Sequence, residues 1–248
     1  MDGYDESTYG EGIAARYDLM YGDPPPAQID LLEQLAEEGP VLELGIGTGR
    51  IALPLGERGV KVHGIDGSEA MVARLREKPG GVDLPVLIGD FSKFELGEHF
   101  HLIFVAFNTF FGLLTQDDQI SCFEAVAQHL DADGAFLMEA FVPDLARFDR
   151  GQRTGVSEVA TDHTVIEVAI HHPVAQRVDA QHLFIESGAP IQILPVSVRY
   201  AWPSELDLMA RLAGLELRDR WSDWDRSPFN DDSTKHISVW GQTPHRSQ

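Results

Sequence analysis

The sequence predicts an α/β fold: a mainly parallel sheet with helices on both faces, carrying a small antiparallel β insertion. Three observations lead there. Up to Pro143, short apolar runs alternate with segments of helical period, the pattern of strand–helix–strand units and of parallel pairing. Between residues 156 and 200 the helical period disappears and β-rich stretches follow one another directly, as in an antiparallel sheet. The chain has 248 residues, 43% of them hydrophobic, enough for one such domain with its core.

The elements follow in order. In PAQIDLLEQLAEEG, residues Ile29, Leu32 and Leu35 share a helical face, and Gly39-Pro40 ends the helix. VLEL is a short buried strand running into Gly45, Gly47 and Gly49. A helix is expected from about Thr48 to Gly56, then a strand in VKVHGI. SEAMVARLREK is a helix that Ser68 caps and Pro79-Gly80 stops. LPVLIGD and HLIFVAF read as the third and fourth strands. Ile120, Phe123, Ala127 and Leu130 keep helical spacing, and GAFLMEAFVP is a fifth strand. Three β-rich stretches, VSEVATDHTVIEVAI, AQRVDAQHLFIE and IQILPVSVRY, are separated by turn signals at His172-Pro173 and Ser187-Gly188. Helical period returns in PSELDLMARLAG, and strands near Leu215 to Arg220 and His236 to Trp240 close the chain.

Composition narrows the function. The net charge of −21 argues against nucleic acid or an anionic membrane as partner, since either needs a basic face. A lone cysteine, Cys122, allows no internal disulfide and suggests a reducing, cytoplasmic location. The acidic start MDGYDESTYGEG is the reverse of a signal peptide, and no apolar run approaches the roughly 20 residues that span a bilayer.

The chemistry centres on VLELGIGTGRIALPLGERGVKVHGID, residues 41 to 66. In an open parallel sheet, ligands bind beyond the carboxyl ends of the strands, where the topology reverses. Glycines after the first strand let backbone approach a ligand closely. Asp66, ending the second strand, is placed to accept hydrogen bonds from two ribose hydroxyls. A dinucleotide site would share that logic, so an NAD-dependent dehydrogenase is the first rival. The spacing here is G-x-G-x-G rather than G-x-G-x-x-G, with Arg50 next. Glu43 also lies two residues before the first glycine; an acid there repels a pyrophosphate and favours a cationic ligand. S-adenosylmethionine has a ribose, an adenine, an ammonium and a sulfonium, and no phosphate. The pattern favours that cofactor.

The same stretch, extended to VHGIDGSEAMVARL, resembles class I S-adenosylmethionine-dependent methyltransferases of the small-molecule type, which act on glycine, amino sugars and natural products. The likeness runs from ARYDLMYGD to SDWDRSPFNDDSTKHISVW and is strongest from 41 to 141. It implies a Rossmann-like seven-stranded methyltransferase sheet with helices on both faces and the antiparallel insertion as a lid. The implied organisation is an N-terminal cap (1–24), a cofactor-binding core (25–150), the lid (151–201), and a C-terminal piece (202–248) that completes the core with a helix and two strands. It implies that Gly45, Gly47 and Gly49 pack along the methionine part, with Glu43 and Arg50 nearby. Asp66, followed by Gly67 and Ser68, would take the ribose. Met71 of DGSEAM would lie against the adenine, and Asp90 and Phe91 of GDF would meet the adenine edge. Phe107 and Asn108 of FNTFF would border the methionine group and the departing methyl.

Methyl transfer from a sulfonium is an in-line displacement driven largely by alignment and water exclusion, so no conspicuous base is required. Tyr17 and Tyr21, matching the N-terminal helix that closes over the cofactor in such enzymes, are the catalytic candidates together with Asn108; Tyr17 also borders the cofactor. DPPPAQ follows where the family often has a further tyrosine. His163, His171, His172 and His182 fall in the insertion, and strand alternation puts His171 and His172 on opposite faces. No spacing matches a metal motif. The acceptor pocket is expected among Phe110, Phe111, Phe141, Arg199, Tyr200 and Trp202. The expected partner is a small-molecule methyl acceptor, nitrogen preferred over oxygen. A protein that binds S-adenosylmethionine without transferring methyl is the second rival. Exposed edges of the antiparallel insertion offer a homodimer surface.

Overall fold

A computed structural model describes residues 1, 3, 4 and 8–243. Residues 2 and 5–7 of the expected cap, and 244–248 of the C-terminal piece, lie outside the described residues. The strands of the core are β1 (Val41–Leu44), β2 (Val62–Asp66), β3 (Val86–Ile88), β4 (Phe100–Val105) and β5 (Leu130–Phe141). An insertion follows: β6 (Gln152–Val159), β7 (His163–His172), β8 (Arg177–Glu186) and β9 (Gln192–Arg199). The last two, β10 (Leu215–Trp221) and β11 (Lys235–Gln242), rejoin the core. Around them lie α1 (Thr8–Ile13), α2 (Tyr17–Tyr21), α3 (Pro26–Ala36), α4 (Ala52–Glu57), α5 (Glu69–Arg76), α6 (Gln116–His129) and α7 (Pro203–Leu212).

The large sheet has seven strands in the order β3-β2-β1-β4-β5-β11-β10. β11 is antiparallel to both β5 and β10, and the remaining strands run parallel to one another. All of β1 is buried, as a central strand covered on both faces requires. Alternation sorts its side chains: Leu42 and Leu44 join Phe123, Phe136 and Trp240 on one face, while Val41 joins Ile29, Leu32 and Phe104 on the other. The chain order reverses between β1 and β4, which opens a crevice at the carboxyl ends of these strands.

Three elements differ from expectation. Leu130, counted with the helical spacing of Ile120, Phe123 and Ala127, instead begins β5, ahead of the Gly134 start expected for that strand. The helix expected from Thr48 begins only at Ala52, because Gly45, Gly47 and Gly49 all take positive φ (75°, 55° and 76°) and hold the segment as a turn. The insertion has four strands, not three, and forms its own sheet, β6-β7-β8-β9. Its first stretch is a hairpin that turns at Thr161-Asp162, polar residues suited to a turn but lacking the glycine or proline that marked the others. Ile13 of α1 packs with Met71 of α5 and Leu194 of β9, joining the two sheets.

Among the described residues, no helix is long and apolar enough to cross a membrane, and no group of three His, Cys, Asp or Glu side chains could hold a metal ion.

His236 on β11 is fully buried, and burial pushes its imidazole down to about 3, Arg220 adding to the effect. The unfolded chain therefore binds a proton near pH 6.5 that the fold refuses until about pH 3. Stability is lost as pH falls through that window. His236→Phe is expected to shrink the difference in melting temperature between pH 7.5 and pH 5, measured by calorimetry; an unchanged difference would exclude His236 as its source.

Candidate active site

A cavity of about 660 Å³ lies beyond the carboxyl ends of β1, β2, β4 and β5, with α1, α2 and the strands β8 and β9 on its other side. That volume suits a small ligand pair.

Its floor is the glycine turn. The N–H groups of Gly45 and Ile46 both donate to the Ile65 carbonyl, at 2.8 and 3.0 Å. A Cβ on Gly45 would stand 2.4 Å from Thr109 Cγ2, so that position is short of space as well as left-handed, while one on Gly47 would meet only the flexible Met71 Cε at 3.2 Å, so Gly47 is required chiefly by its φ of 55°. Asp66 fixes the turn from the neighbouring strand: Gly47 N–H donates to Oδ2 at 2.7 Å and Ser68 N–H to Oδ1 at 2.8 Å. Burial raises the Asp66 carboxyl, and these two amides oppose the rise. The Ser68 hydroxyl accepts from Met71 N–H at 3.2 Å and caps α5.

Glu43 on β1 is buried at 4% exposure, and its Oε2 has no hydrogen-bond partner. Burial pushes this carboxyl well above the usual range; Arg50 opposes the shift and Asp66 adds to it. The Arg50 guanidinium sits over the Phe107 ring at 5.3 Å. Tyr21 meets Phe107 edge-on at 4.7 Å and packs tilted against Tyr17 at 4.8 Å between ring centroids, while the hydroxyls of Tyr9 and Tyr21 share a hydrogen bond of 3.0 Å. Burial pushes Tyr17 up to about 12 against the pull of Arg50. The helix carrying Tyr17 and Tyr21 is latched to the glycine turn. Thr48 Oγ1 donates to Asp18 at 2.7 Å, and Lys78 reaches both Asp18 and the Thr48 carbonyl at 2.8 Å.

Phe107 and Asn108 follow β4 with φ of 57° and 65°. Left-handed backbone costs a non-glycine residue about 1–3 kcal/mol and persists only where its surroundings impose it. Here Asn108 Oδ1 accepts from Phe141 N–H at 2.7 Å, and Phe107 N–H donates to Glu139 Oε2 at 2.8 Å.

Tyr17, Tyr21, Glu43, Gly45, Gly47, Arg50, Asp66, Gly67, Ser68, Met71, Asp90, Phe91, Phe107 and Asn108 all line the cavity, as do Phe141 and Tyr200 of the expected acceptor group. Asp90 is exposed at the rim, its carboxylate held by the Ser92 amide and hydroxyl. Five expected residues do not line it. Gly49 turns the chain against α5, where a Cβ would strike Leu75 at 2.3 Å. Phe110 and Phe111 are fully buried in the core. Arg199 is buried in an ion pair with Glu205 at 2.8 Å and also donates to Gln119. Trp202 precedes α7 and is 41% exposed, outside the cavity.

Residues the sequence reading passed over complete the far wall, among them Tyr9, Arg147, Phe148, Glu167 and Ser197. Of the four histidines considered, His182 lines the cavity, while His171 supports Tyr200 from behind through a 2.9 Å hydrogen bond to its hydroxyl. The signal for His182 was period-two alternation: Val178, Ala180 and His182 all face inward from β8.

A family model described as a methyltransferase domain matches residues 41–134. The chain is similar to the CcbJ methyltransferase from Streptomyces caelestis: its solved structure is 40% identical, covers 97% of this chain and 100% of its own, and superposes with a TM-score of 0.90. Cypemycin N-terminal methyltransferase from a Streptomyces species is 28% identical over 222 residues, 86% of this chain and 89% of its own length. The sugar N-methyltransferase KedS8 from a Streptoalloteichus species shares the fold at 19% identity and a TM-score of 0.67, over 98% of this chain and 99% of its own.

Proposed function

The chain belongs to the S-adenosylmethionine-dependent methyltransferases, and from that premise we propose that it methylates a nitrogen of a small molecule, with a hydroxyl oxygen as the second reading. One observation carries the placement of the cofactor. A buried carboxylate, Glu43, has an unpaired oxygen beside the glycine turn, with the Arg50 guanidinium nearby. Opposite charges at one end of a cavity suit the ammonium and carboxylate of an amino acid, and a buried acid disfavours the pyrophosphate of NAD. The glycine cradle, closed to any Cβ at Gly45, suits backbone contact with the same group.

When bound, S-adenosylmethionine supplies an electrophilic methyl on sulfur and a neutral thioether as leaving group. In this reading Glu43 and Arg50 hold the amino-acid end along Gly45 and Gly47. Asp66 takes the ribose, beside Gly67 and Ser68. Met71, Asp90 and Phe91 border the adenine. Phe107 and Asn108 border the reacting centre, and Asn108, whose Oδ1 is already engaged, has its amide N–H groups left to donate. Tyr17 and Tyr21 orient the reactants and exclude water. Phe141, Tyr200 and the wall from β8 and β9 receive the acceptor. An amine that loses its proton in water needs no base from the protein, and the N-terminal methyltransferase relative supports nitrogen. Residues 1–24 then act as a cap and 151–201 as a lid over the core (25–150 with 202–248). The outer strand edges, where Val156, Val159, Ile191 and Ile193 are exposed, are the surface on which two copies would pair.

Calorimetric titration tests the cofactor. S-adenosylmethionine is expected to bind in the micromolar range and NAD not at all. Because the Glu43 carboxyl is raised in the free protein, a cationic ligand draws it to the ionised form. Binding should therefore release protons, and affinity should rise with pH. A labelled-methyl assay over primary amines, hydroxylated aromatics and sugars tests the acceptor. Tight NAD binding without response to S-adenosylmethionine would overturn the proposal, and label appearing only on oxygen would select the second reading.

A further inference from the structure

Glu139 lies on β5 behind the cavity wall and does not line the cavity. Its two carboxylate oxygens have different partners. Oε2 accepts from the Phe107 amide at 2.8 Å, and Oε1 accepts from the Trp224 indole N–H at 3.1 Å. Lys235 Nζ stands 3.7 Å from Oε1 and 2.8 Å from Asp223. The backbone adds to this grip, since Asn108 N–H donates to the Glu139 carbonyl at 3.2 Å. The residue is 9% exposed, and its partners tie it to Trp224 in the segment joining β10 to β11 and to Lys235 at the start of β11.

What it grips is the pair of consecutive left-handed residues Phe107 and Asn108. A bulky residue leaves that conformation unless held there. The Phe107 ring is the surface on which Arg50 and Tyr21 rest, so its backbone sets the position of both. We propose that Glu139 is a positioning residue for cofactor binding: anchored by Trp224 and Lys235, it holds the Phe107–Asn108 turn in the shape that completes the cofactor end of the cavity. Both oxygens accept from N–H donors, so an isosteric amide cannot replace the carboxylate; its own NH2 would face either Phe107 N–H or Trp224 Nε1–H. The inference rests on the cofactor reading above.

The test measures binding of S-adenosylhomocysteine, which cannot react, by calorimetry at a temperature where every variant is folded. Glu139→Gln is expected to weaken binding about 10- to 100-fold, the scale of a lost charged hydrogen bond. Trp224→Phe keeps an aromatic ring but removes the anchoring donor together with part of the buried indole; with the packing loss read separately from its melting temperature, it should weaken binding roughly 3- to 10-fold, as for a single hydrogen bond. Asp207→Asn is the control for general loosening. Asp207 makes a like set of contacts, to Trp240 Nε1 at 3.1 Å and to Arg220 at 2.7 Å, and none of the three lines the cavity. It should lower the melting temperature and leave affinity unchanged. Wild-type affinity in both Glu139→Gln and Trp224→Phe would overturn the inference and spare the cofactor reading. An equal loss in Asp207→Asn would also overturn it. A wild-type protein that ignores the ligand would instead remove the cofactor reading itself, and this inference with it. Should Glu139→Gln fail to fold, Trp224→Phe decides alone.

Discussion

Asp66→Ala is expected to weaken S-adenosylmethionine binding by roughly 1.5 to 3 kcal/mol, about 10- to 150-fold. The carboxylate has two tasks in the proposed complex. It accepts from the Gly47 and Ser68 amides, which sets the shape of the glycine turn, and it offers its remaining lone pairs to the ribose. Alanine removes both. The turn loses the contact that holds Gly47 at φ 55°, and two amides lose their acceptor beside a cavity that water can enter. Asp66→Asn should fall between, because its single oxygen can serve only one of the amides. The seven-stranded sheet should survive in both, since Asp66 ends β2 and lies outside the two large apolar clusters. Calorimetry with folded protein checks this, and an Asp66→Ala variant that binds as the wild type does would remove Asp66 from the site.

How far the sequence could be read depended on whether a feature was local. The glycine turn, Asp66 and the Ser68 cap each follow directly from a strand end, and all of them but Gly49 lie at the cavity. The aromatic residues after β4 were harder. Phe107 lines the cavity while Phe110 and Phe111 turn into the core, and the left-handed pair at that turn, Phe107 itself and Asn108, includes no glycine to announce it. Arg199 looked available at a strand end; its partners Gln119 and Glu205 come from α6 and α7, and only packing brings those helices to it. The far wall was least legible. Glu167 stands opposite His182 because of the register between β7 and β8, and a one-residue slip would turn both away. The hairpin turn at Thr161-Asp162 that fixes the neighbouring pair has no glycine or proline to mark it.

Tyr17→Phe is expected to slow methyl transfer about 10- to 1000-fold, the scale of one positioning or transition-state hydrogen bond, while the protein stays folded. The phenol cannot serve as a base near neutral pH, because burial holds it at about 12. In the proposed role it is a donor, and the rate should show no ionisation of Tyr17 at any pH up to about 11. The ring matters separately. It packs on Tyr21, which packs on Phe107, so phenylalanine keeps the stack and loses only the hydroxyl. Removing residues 1–23 goes further. It takes away α1, α2, the Asp18 contacts to Thr48 and Lys78, and the bridge that Ile13 makes between α5 and β9. Turnover should then be lost and cofactor affinity should fall, because the cavity loses the wall that excludes water. The sheet should remain, since its strands pair without that segment. Kinetics of Tyr17→Phe and of the truncated chain, on whichever acceptor the labelled-methyl assay finds, separate these effects. A truncated protein that methylates at the full rate would make the segment a tail and move catalysis to Asn108 and the wall from β8 and β9.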